Sequence, residues 1–244
     1  MRSIELAEGP AEAIVSLPPQ GTGPGVLLFM DAYGLRPPIR QLADRIASWG
    51  YVVLAPNVFH RDGTVGEMAV PAPGSPEQGQ ALWARIAPRV GRLTTELALA
   101  DIDAYVAGLT ALPEVTRGPL GTVGFCMGGR LAVRAAARHP DRFAACAALH
   151  AGGLVTDAED SPHRALASAR AEFLFGHADN DRSMTPDDVA ALGAAVDASG
   201  LVATNVIVPD AAHGYTMSDL PAWNADATEW AFTALRGLFE RTLG

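Results

Sequence analysis

The sequence predicts an α/β fold: a mostly parallel sheet covered by helices on both faces, built as one domain over residues 1–244. Three observations carry that expectation. Short, nearly continuous apolar runs recur along the chain, as in strands buried on both faces. Segments with helical spacing of apolar residues separate them, so strands and helices alternate. No internal repeat or linker interrupts the alternation. With 244 residues, 49% of them hydrophobic and 18% charged, the chain can close over a sizeable core.

In order, a first strand at 13–17 ends at Pro18-Pro19 and reads as an edge strand. Gly25-Val26-Leu27-Leu28-Phe29-Met30 is a buried central strand, and the turn Asp31-Ala32-Tyr33-Gly34 follows it. Pro37 and Pro38 then open a helix with Ile39, Leu42, Ala43 and Ile46 on one face. A further strand at 51–55 is stopped by Pro56. The connection from 57 to 79 is rich in proline and glycine, and loops of that size inside a domain are usually functional. Helices are expected over 76–87 and 91–109, with Asp101 and Asp103 on a solvated face. Later strands fall at 120–123, 143–149, 172–176 and 203–208, with Cys146 inside one of them as an inert core residue. A helix starting near Pro186 carries Val189, Leu192 and Val196. The closing helix is expected to be capped by Asp219, with Pro221 in its first turn, and to carry Trp223, Trp230, Leu235 and Leu238.

Composition narrows the function. The net charge of −9 argues against a nucleic-acid or anionic-membrane partner. Two cysteines make no disulfide framework, the first residues lack the apolar core of a signal peptide, and no later run could span a bilayer. A cytoplasmic protein, monomer or homodimer, acting on a small molecule is the expectation. No pair of histidines or cysteines has metal-ligand spacing, and no glycine-rich stretch has a dinucleotide or phosphate-loop pattern, so no metal and no cofactor are implied.

The chemistry centres on Gly124-Phe125-Cys126-Met127-Gly128. The apolar run with Thr122 and Val123 enters it as a strand, and Leu131-Ala132-Val133-Arg134-Ala135-Ala136-Ala137 leaves it as a helix. That is the context of a nucleophile elbow, with Cys126 where serine usually sits. Flanking glycines let strand and helix close around a strained turn, and the helix N-terminus behind the thiol favours thiolate. The blander alternative is a buried cysteine in an ordinary βα turn. Further reactive side chains follow at strand ends, in the order Cys126, then Asp179 or Asp181, then His213, the chain order of the α/β-hydrolases. His213 would shuttle the thiol proton, and an aspartate would hold its imidazole in the correct tautomer. Asp179 keeps a Gly-x-x-Asp spacing from Gly176, whereas Asp181 precedes Met184-Thr185-Pro186, an apolar-then-proline run that favours it.

These motifs resemble the dienelactone hydrolase family, the cysteine-nucleophile branch of the α/β-hydrolases. The resemblance runs through Asp31-Ala32-Tyr33-Gly34, Gly50-Tyr51-Val52-Val53-Leu54-Ala55-Pro56, the cysteine elbow and Ala212-His213-Gly214-Tyr215. It implies an α/β-hydrolase fold and hydrolysis of a small ester or lactone through an acyl-cysteine. It also implies that an acid at Asp31 touches the thiol and helps activate it, and that the N–H groups of Ala32 and Met127 bind the oxyanion. The family's type enzymes carry glutamate at Asp31's place. They also hold a substrate carboxylate with arginines, one of them soon after the histidine. Here Thr216-Met217-Ser218 follows Tyr215, so an uncharged or differently charged ester, lactone or thioester is the expected substrate. Tyr33, His150 and Tyr215 are candidate pocket residues, and His60, Arg61 and His177 weaker ones. Arg61 and Arg85 are the first suspects for any replacement cation. The alternative function is a ligand-binding protein that kept the fold without turnover.

Overall fold

The apolar runs become the centre of one eight-stranded sheet in a computed structural model that describes residues 1–71 and 73–244. Its strands are β1 (Arg2–Ile4), β2 (Ala11–Ser16), β3 (Gly25–Phe29), β4 (Val52–Pro56), β5 (Leu120–Phe125), β6 (Phe143–Leu149), β7 (Glu172–His177) and β8 (Ala203–Ile207). They lie in the order β1-β2-β4-β3-β5-β6-β7-β8. β1 and β2 run antiparallel to their neighbours, and the remaining pairs are parallel. Every residue of β3, β4 and β5 is buried, which is why these strands read as unbroken apolar runs.

The helices are α1 (Pro37–Ala47), α2 (Pro76–Arg92), α3 (Thr95–Thr110), α4 (Met127–Arg138), α5 (Pro162–Ala165), α6 (Pro186–Ala198) and α7 (Ala225–Thr242). Together with the mostly parallel sheet they give the α/β fold expected from the sequence. Among the described residues no helix is long and apolar enough to cross a membrane.

Four details differ from expectation, each for a physical reason. The segment at 13–17 is not an edge strand, because β1 pairs outside it; β1 has three residues, two of them exposed, too short to show an alternation. Helix α2 does not stop at 87 but runs through Pro88 to Arg92, since tertiary contacts of Leu82, Ile86 and Arg89 outweigh one lost helix hydrogen bond. Asp101 is not solvated: it is 3% exposed and accepts both terminal nitrogens of Arg61, at 2.6 and 2.8 Å. Helix α7 begins at Ala225, capped by Asn224, which accepts from the Ala227 N–H at 3.1 Å. Asp219 is bound to Arg36 instead, and Trp223 lies before the helix at the end of successive tight turns.

The topology places the chemistry. Because β3 to β8 are parallel, their carboxyl ends share one edge of the sheet. Asp31 follows β3, Cys126 follows β5, His150 follows β6, Asp181 lies four residues beyond β7, and the loop after β8 carries His213.

Candidate active site

Cys126 sits between β5 and α4 with φ 54° and ψ −123°, a conformation that a residue with a side chain rarely adopts. The turn is held by Cys126 N–H donating to Leu149 O at 3.1 Å and Gly129 N–H donating to Cys126 O at 3.1 Å. Its tightness is steric. A Cβ on Gly124 would lie 2.0 Å from Gly128 O, and one on Gly128 would lie 2.4 Å from Phe29 O. Only glycine at both positions lets α4 approach the sheet closely enough to put the thiol at the helix N-terminus.

The sulfur lies 3.0 Å from His213 Nε2, and Asp181 Oδ2 accepts from His213 Nδ1 at 2.6 Å. The other Asp181 oxygen accepts from Ser183 N–H at 2.8 Å and Ser183 Oγ at 2.6 Å, so the carboxylate is fixed on both sides. Burial pushes the Asp181 carboxyl up, but the bonds from His213 and Ser183 prevail and hold it below the usual range. Burial likewise disfavours imidazolium, yet the Cys126 sulfur and the Asp181 carboxylate outweigh it and push His213 up to about 10. The arrangement therefore favours a proton residing on the imidazole between sulfur and carboxylate.

Cys126 and His213 open into a cavity of about 640 Å³ with walls that include Tyr33, Trp83, Met127 and Leu220. Arg130, one helical turn beyond Cys126 on α4, also lines it, and no aspartate or glutamate does so among the described residues. Arg130 has no hydrogen-bond or ion-pair partner among those residues; burial lowers its pKa, and the Cys126 sulfur opposes that. Ala32 also lies on the cavity wall. Neither the Ala32 nor the Met127 N–H has a hydrogen-bond partner among the described residues. Two residues that border the same cavity as Cys126 thus carry unpartnered backbone N–H groups.

Comparison with known proteins agrees with this architecture. The model of the dienelactone hydrolase family matches residues 11–243. The chain belongs to the dienelactone hydrolase family. As a member it is a carboxylic ester hydrolase. A Methylorubrum extorquens protein provisionally named carboxymethylenebutenolidase is 24% identical over 243 residues, covering 98% of this chain and 79% of that protein. The carboxymethylenebutenolidase of Rhodococcus opacus is 34% identical over 125 residues, 51% of this chain and 43% of that one. In fold, the crystal structure of a provisionally named dienelactone hydrolase from Klebsiella pneumoniae superposes with TM-score 0.80 at 23% identity, covering 98% and 96% of the two chains.

Not every residue expected at this dienelactone hydrolase site lies where the sequence suggested. Asp181 reaches His213, whereas Asp179 turns away: its Oδ2 accepts from Asp210 N–H at 3.3 Å and its own N–H donates to Ala211 O. Asp31 does not touch the thiol. Its oxygens accept from Arg36 Nη1 at 2.6 Å and Nη2 at 2.9 Å, and Oδ1 also accepts from Tyr33 N–H at 3.1 Å. Burial pushes the Asp31 carboxyl up, and Arg36 opposes that. Tyr33 does line the cavity, with its ring under the Arg36 guanidinium at 5.2 Å.

His150 and Tyr215 do not line the cavity; both are fully buried behind His213. The His150 ring packs edge-on against His213 with centroids 5.5 Å apart, and His150 Nε2 lies 2.8 Å from Thr216 Oγ1. Tyr215 donates to Gly176 O at 3.2 Å. His60 and His177 lie off the wall, Arg61 is tied to Asp101 and Glu8, and Arg85 does not line the cavity. Sequence reasoning missed Arg36, Ser183 and Arg130. For Arg130 a signal existed, since a residue four beyond Cys126 on a helix faces the same side.

Proposed function

We propose that this dienelactone hydrolase family member cleaves a small ester, lactone or thioester through an acyl-cysteine, with Cys126 as nucleophile, His213 as acid–base and Asp181 as its orienting carboxylate. The Cys126–His213–Asp181 geometry, 3.0 Å and then 2.6 Å at the floor of a cavity, carries the reading. In the first half-reaction Sγ, its proton already held by His213 Nε2, forms a bond to the carbonyl carbon. The carbonyl oxygen becomes an oxyanion bonded by the N–H groups of Ala32 and Met127. Collapse of that intermediate expels the alkoxide or thiolate, which leaves with the proton from His213. In the second half, water gives a proton to His213 and its oxygen attacks the thioester carbon. The acid departs and the thiol is restored. Asp31, engaged by Arg36, plays no part in moving this proton; with Arg36 it shapes the turn that presents Ala32.

The direct test is to trap the intermediate. Incubation with a slow p-nitrophenyl ester, followed by acid quench and peptide mass spectrometry, is expected to place the acyl group on Cys126. Cys126→Ala should abolish turnover, while Cys146→Ala, which changes a thiol buried in β6, should leave turnover within a few-fold of wild type. An acyl group on another residue, or undiminished turnover by Cys126→Ala, would overturn the reading.

A further inference from the structure

The turn that carries Ala32 is gripped by two arginines. Arg36 binds the Asp31 carboxylate and also donates to Gly34 O at 3.3 Å. A second guanidinium, Arg89, reaches the turn from α2. Its Nη2 donates to Ala32 O at 2.7 Å and its Nη1 to Met68 O at 3.4 Å, and its guanidinium carbon lies 4.8 Å from the centroid of the Phe59 ring. Arg89 is 7% exposed, and among the described residues no carboxylate stands within ion-pair distance of it. Burial of this kind disfavours a cation without a counter-ion in contact, and it pulls the Arg89 pKa down, with Asp62 and Asp31 opposing more weakly. A neutral amide could have bonded the same carbonyl at less cost. Helix α2 also runs through Pro88, where a helix loses a hydrogen bond, immediately before it delivers Arg89.

We propose that Arg89 is a positioning residue for oxyanion stabilisation: its bond to the Ala32 carbonyl pins the Ala32–Tyr33 peptide. With Arg36 holding Asp31 and Gly34 on either side, this restrains rotation at the Ala32 Cα, so that the Ala32 N–H of the preceding peptide keeps its place in the cavity wall beside Cys126. The inference rests on the reading of Ala32 as an oxyanion donor. A charge-assisted bond to a carbonyl is about twice as strong as a neutral one. The turn around Ala32 therefore holds its place when the oxyanion forms, without reorganisation at that moment. Phe59 supports the guanidinium from below and leaves it one position.

The test compares wild type, Arg89→Gln and Arg89→Lys, each confirmed folded by circular dichroism, in three measurements. These are steady-state hydrolysis of a short-chain ester, inhibition by a trifluoromethyl ketone that places an oxyanion on the thiol adduct, and alkylation of Cys126 by iodoacetamide. Arg89→Gln is expected to lower kcat by about ten- to a hundred-fold with KM little changed, and to weaken the ketone by a similar factor. Alkylation should keep its rate, because the nucleophile and His213 are untouched. Arg89→Lys, which keeps the charge, should recover a good part of the loss. A folded Arg89→Gln with wild-type kcat, or a loss shared equally by alkylation, would overturn the inference. If Arg89→Gln does not fold, Phe59→Leu keeps both donors and removes the ring beneath them. It should lower kcat several-fold at constant KM, and an unchanged kcat refutes the proposal. Cys126→Ala separates the two claims: if it hydrolyses ester normally, the acyl-cysteine reading falls and takes this one with it. If only the Arg89 effects are missing, the inference alone fails.

Discussion

His213 stands between a sulfur and a carboxylate, and each makes its imidazolium more favourable than burial alone would allow. Removing the carboxylate removes part of that support, so the sign of the pH effect is fixed. In wild type, kcat/KM is expected to decline on the alkaline side as pH rises through about 10, where His213 loses the proton that the proposed mechanism passes to the leaving group. Asp181→Asn should move that limb to lower pH and lower kcat on the order of hundreds-fold. Asp179→Asn, which alters only a bond to the Asp210 backbone, should change kcat within a few-fold. Matched pH–rate profiles of the three proteins check this; an alkaline limb unmoved in Asp181→Asn would refute the argument. At this scale the sequence was legible wherever spacing encodes geometry. The glycines around Cys126 and the strand-end place of His213 point to the site because only certain backbones satisfy them. The engagement of Asp31 was not legible, because nothing in the order of residues says that Arg36 will claim that carboxylate.

Helix α7 begins where Asn224 ties three things together. Its Oδ1 caps the helix at Ala227, its N–H donates to Tyr215 O at 3.0 Å, and its Nδ2 donates to Asp210 O at 3.3 Å. Asn224→Ala removes the cap and the bond to Asp210, with an expected loss of about 1 kcal/mol, read as a lower urea midpoint at unchanged slope. Because the same residue anchors the loop that carries His213, a modest fall in kcat should accompany the loss. A shift in midpoint with no such fall would show that the loop holds its place without Asn224. The elements were legible in proportion to how fully tertiary burial writes itself into local pattern. β3, β4 and β5 are buried on both faces and could hardly be mistaken. The start of α7 was obscured because Asp219 and Pro221 mimic a helix start, while the Asp219 carboxylate is in fact held by Arg36, 183 residues away in the chain. Likewise Pro88 reads as a helix stop, and only contacts made after folding carry α2 past it.

The whole molecule carries a net charge of −9, yet the wall of its cavity shows one guanidinium, Arg130, and no carboxylate among the described residues. These charges act over different ranges. At physiological ionic strength the surface charge is screened within about 8 Å, so it slows the approach of an anion but has little hold on one already inside. Within the cavity the nearby guanidinium governs, because it can bind a carboxylate through two parallel bonds. The expectation of a neutral substrate rested on a pocket without a cation, and Arg130 removes that ground. The molecule should instead turn over an ester bearing a free carboxylate with a higher kcat/KM than its matched methyl ester, assayed with one enzyme preparation. A hydrogen-bonded charge pair contributes about 1.5–3 kcal/mol, so Arg130→Gln should lower the ratio of the two kcat/KM values on the order of ten- to a hundred-fold. Raising ionic strength should then increase kcat/KM for the anionic ester more steeply in Arg130→Gln than in wild type, since only long-range repulsion is left to screen. A wild-type preference for the neutral ester, unaltered in the variant, would mean that Arg130 faces solvent in the cavity without meeting the substrate.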